Sequence, residues 1–267
     1  MRKISIVLSQ AQAFAERDLR IFFRFKVGAI ANVFVPAIVS IGLFGTVFLG
    51  FFNSGFTGAS GLNKENFISF TLLGALVSTL YAQAQGAMSG RFAIEKYWQT
   101  IPALLASPLS RWAMLLGVVL SDIAKFSLVA GIFLALAYLF WPVSALVIVT
   151  VMVLLVLLYS LISGISLIRG AVFLVNENLD PILNYFLLIT GFVSCFYYPV
   201  TFLPSFVQWL AYINPIYFVV YLIRASWLGQ PFDVSYAFLA IVATIVSCSV
   251  GVISFNKIWR NSDITGY

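Results

Sequence analysis

Histidine is absent from this chain, and charge is scarce. Asp, Glu, Lys and Arg make up 9% of its 267 residues, against about 25% in soluble proteins. The first absence excludes imidazole metal sites and histidine proton relays. The second, with 62% hydrophobic residues and a mean hydropathy of +1.03, argues against a soluble domain and predicts a polytopic membrane protein. Cysteine is limited to Cys195 and Cys248, both in apolar segments, which reads as buried thiols rather than a disulfide or a metal site. No Gly-Lys dipeptide occurs, so the chain has no Walker A cradle for phosphates. The net charge of +6 does not point to nucleic acid, because the basic residues sit at the ends of apolar runs rather than in one stripe.

Apolar runs fill the rest, and their lengths set the expected architecture. A membrane helix needs about 20 residues to cross a ~30 Å hydrocarbon core. The sequence predicts an all-α protein with six transmembrane helices at about 27–50, 67–89, 112–140, 144–168, 181–198 and 235–256, forming one domain over 27–256. Before them, residues 1–26 read as an amphipathic interfacial helix, with Ile4, Val7, Leu8, Ala11 and Phe14 at helical spacing and Arg17, Arg20, Arg24 and Lys26 beyond. That mixed segment is too long to be the basic region of a cleavable signal. Residues 257–267 read as a tail. Small residues at four-residue spacing on the last span, such as Ala240, Thr244 and Cys248, suit close helix packing.

One run is unlike the others. Between Asp180 and Asp233 the only formal charge is Arg224, and Pro199, Pro204 and Pro215 interrupt the stretch. It is too long for one span, and non-helical backbone survives at membrane depth only where protein or a cavity shelters it. A re-entrant helical hairpin over 199–226, between the fifth and sixth spans, satisfies both conditions. With that topology, twelve Lys and Arg fall on the side of the termini, Lys64 and Arg224 on the other, and Lys125 within a span. Positive charge favours the cytoplasm, so both termini are expected there.

Two segments then carry a resemblance. Tyr198-Pro199, Leu203-Pro204, Asn214-Pro215 and an aromatic-rich helix reaching Arg224 resemble the C-terminal signature of ABC-2 type transporter permeases. The connection 90–111 looks like that family's coupling segment, with the pair Glu95-Lys96, then Thr100, Leu104, Ser107-Pro108 and Arg111. Many members have Gly-Thr after the acidic-basic pair; here Tyr97-Trp98-Gln99 stands there, which implies a bulkier docking surface. The resemblance covers essentially the whole chain. It implies a non-enzymatic permease subunit in the cell (inner or plasma) membrane, exporting an amphipathic drug, a lipid or a lipo-oligosaccharide. It further implies two copies of a separate ATPase that binds ATP and Mg²⁺, and a second permease subunit, identical or paralogous. This chain itself would hold no cofactor.

Alternative readings stand beside these. A polysaccharide or O-antigen-type glycan is the other substrate class, and an ATP-independent secondary transporter the other mechanism. Proton-coupled carriers usually need several intramembrane carboxylates, whereas only Asp122 lies within a span. Asp122 and Lys125, three apart on one helix face, read first as a mutual ion pair and second as pathway lining. Glu177 and Asp180 read as a loop or an ATPase contact, since no nucleophile or metal-ligand set accompanies them. Arg224 reads as an anchor reaching the outer surface, and the aromatics around it as an interfacial belt or a surface for sugars and lipid tails.

Overall fold

Nearly every described residue is helical, as the apolar composition requires of backbone that cannot bond to water. The structure is a computed structural model and describes residues 2–55, 62–99, 110–231 and 233–261. Nine α-helices are described: α1 Arg2–Arg24, α2 Lys26–Asn53, α3 Phe67–Tyr97, α4 Arg111–Phe140, α5 Ala145–Val175, α6 Asp180–Val193, α7 Ser205–Ile213, α8 Pro215–Trp227 and α9 Val234–Asn261. Short 3₁₀ turns at Glu177–Leu179 and Val200–Phe202 lead into α6 and towards α7.

Among the described residues four helices are long and apolar enough to cross a membrane: α3, α4 from Trp112, α5, and α9 to Lys257. The pair α7–α8, bent by 89°, is long enough together for a fifth. The chain is therefore an all-α, multi-pass membrane protein. The segment expected as a fifth span is shorter than its apolar run. At 14 residues, α6 rises only about 21 Å, because the chain leaves the helix at Ser194 and turns through Cys195, whose φ is 57°.

Helix α3 forms the axis of the bundle: 72% of its most apolar window is buried, against 17% for α9. It packs on α4, α5 and α8 through a continuous core that includes Leu76, Leu80, Phe133, Leu155, Leu158 and Ile223. Burying each such side chain contributes about 1.5–3 kcal/mol in water. In lipid the same contacts act through close packing and hydrogen bonds instead. Ser166 shows the second kind: its Oγ accepts from the Met88 amide at 3.1 Å and donates to the Gln85 carbonyl at 2.9 Å. Outside the axis, α9 lies on α5 at a seam of small residues. A Cβ at Gly164 would stand 2.7 Å from the Cys248 amide nitrogen, and Ser247 Oγ donates to the Leu161 carbonyl at 2.7 Å.

Helix α3 also runs eight residues past the span end expected at 89, reaching Tyr97. Arg91, Glu95 and Lys96 are good helix formers, and Phe92 among them stays buried. The first part of the expected coupling connection is thus a continuation of a membrane helix.

Candidate functional site

Two polar regions stand out of this apolar bundle, and the first begins with α1. Its buried face is Ala11, Phe14, Ala15 and Asp18, a stripe at helical spacing. That face runs parallel to the first half of α4. Gln10 Oε1 accepts from the Ser110 amide at 3.2 Å, and Phe14 lies against Gly117, where a Cβ would come within 2.9 Å of the ring. Asp18 Oδ2 then accepts from Ser121 Oγ and from Lys125 Nζ, each at 2.7 Å. One turn later the Phe22 ring sits 5.6 Å from Lys125 Nζ. From Phe14 to Phe22, four residues on α1 match four on α4 at each step.

Asp18 is the hub. It is 1% exposed, and Arg91 of α3 pairs with the same Oδ2. Lys125 also reaches Asp122 Oδ1 at 3.2 Å, and the Tyr159 hydroxyl donates to Asp122 Oδ2 at 3.3 Å. Two carboxylates and two cations therefore balance where α1, α3 and α4 meet. Burial pushes the Asp18 carboxyl up, but the hydrogen bonds from Lys125 and Ser121 and the charge of Arg91 outweigh it. The carboxyl is held below its ordinary value of 3.8. Beside the junction lies a cavity of about 690 Å³, walled by Asp18, Arg91, Asp122 and Lys125 and by the face of α3 carrying Ser78, Thr79, Gln83, Gly86 and Gly90. Gly86 and Gly90 face open space, unlike Gly164 in its seam.

Further along α3, Glu95 accepts from Arg17 of α1 at 2.9 Å, and Lys96 pairs with Glu177 at 3.2 Å. Tyr97 and Trp98 follow, each 70% exposed. Arg169 holds Asp180 through two hydrogen bonds of 2.6 and 2.8 Å, so that carboxylate tethers α6 to α5. Thr100, Leu104, Ser107 and Pro108 lie outside the described residues. Arg111 opens α4 behind Ser110, whose Oγ accepts from the Ala113 amide at 3.1 Å.

The second region is the proline-broken segment expected as a hairpin, in which α7 and α8 meet at a bend of 89°. Its helices are short, so it has many helix ends, and side chains satisfy them one by one. Asn214 caps α8 by accepting from the Ile216 amide at 3.1 Å, with Pro215 at the first helical position where no N–H is needed. The same side chain donates to the Thr190 carbonyl at 3.1 Å and to Ser194 Oγ at 2.8 Å, tying α8 to the end of α6. Tyr198 donates to the Phe192 carbonyl at 2.6 Å, and Gln208 to the Leu203 carbonyl at 2.8 Å. Arg224 donates through Nη1 to the Cys195 carbonyl at 2.8 Å and through Nη2 to that of Phe196. Its guanidinium lies 3.7 Å from the centre of the Phe70 ring. Leu203 is buried in the core beside Val200, and Pro199 and Pro204 each lead directly into a helical turn.

Arg224 differs from the sequence expectation in its direction. It is 9% exposed and turned into the protein, because two carbonyls released by the turn at Cys195 need donors. Asp18, Arg91 and Tyr159 were not singled out from sequence at all. Asp18 did leave a signal: it is the single acid on the stripe 11, 14, 15, 18.

Comparisons with known proteins bear on the family of the chain. The chain is 23% identical over 195 residues to the inner membrane transport permease YadH of Escherichia coli K12, covering 73% of this chain and 75% of that protein. The protein of the same name from Shigella flexneri matches to the same extent. Residues 9–228 match the model of the ABC-2 type transporter family, a span that takes in the charged junction, α3 to α8 and the hairpin. The chain belongs to that family and is the membrane-embedded, non-catalytic permease subunit of an ABC transporter, which works with a nucleotide-binding ATPase subunit.

Proposed function

We propose that the protein exports an amphipathic substrate (a drug, a lipid or a lipo-oligosaccharide) along a path that begins at the cavity beside the charged junction. The observation that carries this reading is the α3 face from Ser78 to Gly90, which is polar or small and opens into about 690 Å³ between membrane helices. Such a face on the most central helix suits one wall of a pathway whose other wall is a second permease subunit, a further copy or a paralogue. Six spans, 27–50 and 181–198 among them, with both termini in the cytoplasm, accord with the distribution of Lys and Arg.

In this reading two ATPase subunits, which bind ATP and Mg²⁺, grip the segment from Glu95 and Lys96 through Thr100, Leu104, Ser107, Pro108 and Arg111. The exposed Tyr97 and Trp98 would offer them a broad aromatic surface. Because Glu95 holds Arg17, and because Asp18 holds Arg91 and Lys125, a push on the end of α3 reaches α1 and α4 without a flexible joint. The hairpin with Tyr198, Pro199, Leu203, Pro204, Asn214, Pro215 and Arg224 caps the far end.

The test is reconstitution of the permease with its ATPase in proteoliposomes. Candidate drugs, lipids, lipo-oligosaccharides and glycans are then compared for stimulation of ATP hydrolysis and for transport. Stimulation by amphipathic compounds, lost when Gln83 and Gly86 are both replaced by Leu, is expected. Stimulation by hydrophilic glycans alone would favour the polysaccharide reading, and transport without ATP would refute both.

A further inference from the structure

Arg224 does more than close a turn. Its guanidinium is buried, its Nε–H has no hydrogen-bond partner, and among the described residues no carboxylate pairs with it. Its two carbonyl partners accept hydrogen bonds but carry no formal charge, so a full positive charge remains uncompensated. An uncompensated buried cation is costly, and the cost falls when an anion approaches.

There is room for one. Arg224 forms part of the wall of a second cavity, about 240 Å³, whose other walls include Phe70, Tyr212, Tyr217, Tyr221 and Tyr236. The Tyr221 hydroxyl makes one long bond, 3.4 Å, to the Pro231 carbonyl. The hydroxyls of Tyr212, Tyr217 and Tyr236 make no hydrogen bond among the described residues, although the ring of Tyr212 packs edge-on against Tyr217 and that of Tyr236 packs edge-on against Tyr221 and stacks on Phe218. Phenolic O–H groups with free donors around a cation form a recognition set for anionic oxygens. The volume sets the size of the ligand: it falls below the roughly 300–1,000 Å³ of sites for drug-sized molecules, and suits a headgroup.

We propose that this cavity binds a phosphate group, with Arg224 supplying the charge and the hydroxyls of Tyr212, Tyr217 and Tyr236 the hydrogen bonds. The phosphate comes either from a lipid headgroup or from the free ion. Binding needs no ATPase and no transport, so its outcome is separate from that of the export assay.

The experiment is calorimetric titration of the permease, purified in dodecyl maltoside so that its surroundings carry no phosphate, with dihexanoyl phosphatidic acid, inorganic phosphate and uncharged dihexanoylglycerol. Saturable binding of at least one phosphate-bearing probe is expected, with none for dihexanoylglycerol. Preference for phosphatidic acid assigns the site to a headgroup, and equal affinity assigns it to the free ion. Arg224→Gln should abolish binding. Because Arg224 also holds the turn, the deciding variant is the double substitution Tyr217→Phe and Tyr236→Phe, which keeps both rings and the turn. It should weaken binding at least tenfold, since hydrogen bonds to charged groups are among the stronger ones. Absence of saturable binding, equal binding of dihexanoylglycerol, or undiminished affinity in the double variant overturns the proposal.

Discussion

The charged junction and the proline-broken hairpin solve the same problem by opposite means. Each must keep polar groups in an apolar bundle. The junction does it with formal charges from three separate helices, Asp18 and Asp122 against Arg91 and Lys125. The hairpin does it mostly with neutral side chains that bond to nearby backbone, and its one cation has carbonyls for partners. Charges shared between elements can be uncoupled by removing one member or by adding one proton to a carboxylate. Backbone capped by amides and phenols cannot be titrated in the physiological range. The difference teaches where movement is to be expected: at α1, not in the hairpin.

The largest effect should come from Asp18→Ala. Removing one partner of a buried ion pair costs about 3–5 kcal/mol, because the charges left behind stay buried. Thermal unfolding in detergent should show that loss, and protease should reach α1 sooner. A change below about 1 kcal/mol would mean that α1 is held by its apolar stripe alone. Next comes Asn214→Ala, which deletes a helix cap and two further hydrogen bonds. About 2 kcal/mol is expected, with no dependence on pH between 5 and 8.

Acid should reproduce part of the first effect. The folded Asp18 carboxyl titrates below its unfolded value of 3.8, so its stabilisation is complete well above that value and is lost as pH falls through the lower folded one. A spin-label pair on the exposed faces of α1 and α3 should show distances that broaden as pH drops from 7 to 3. Glu95, bound to Arg17, and Asp122, bound to Lys125, are further carboxylates beside Asp18. Asp18→Asn is therefore the control: it should be broad already at pH 7. The smallest effect belongs to Gly90→Ala, whose Cβ meets nothing within 4 Å. Stability should change by no more than about 0.5 kcal/mol, whereas Gly164→Ala, a clash with backbone, should cost about 1–3 kcal/mol.

These contrasts also show what the sequence could disclose. Apolar run lengths located α3, α4, α5 and α9, because hydropathy is written residue by residue. The prolines and Asn214 located the break between α7 and α8, since a cap followed by proline is a local signal. The partners of Arg224 were illegible: backbone carbonyls carry no side-chain code, and only the turn at Cys195 brings them round. Asp18 was legible in principle, but the arm drew attention to its arginines. Its partner Arg91 was hidden by reading the helix as ending with the apolar run, when helix-forming charged residues carry it about two more turns.

The hub at Asp18 also imposes an order of assembly. Its partner Lys125 lies 107 residues further along the chain and Arg91 well beyond α2, so the ribosome finishes α1 long before either exists. Until α3 and α4 enter the membrane, the carboxylate lacks the two cations it shares and would be costly to bury. Helix α1, made before both of its partners, is therefore among the last to be seated, and must wait in a polar setting while the bundle forms.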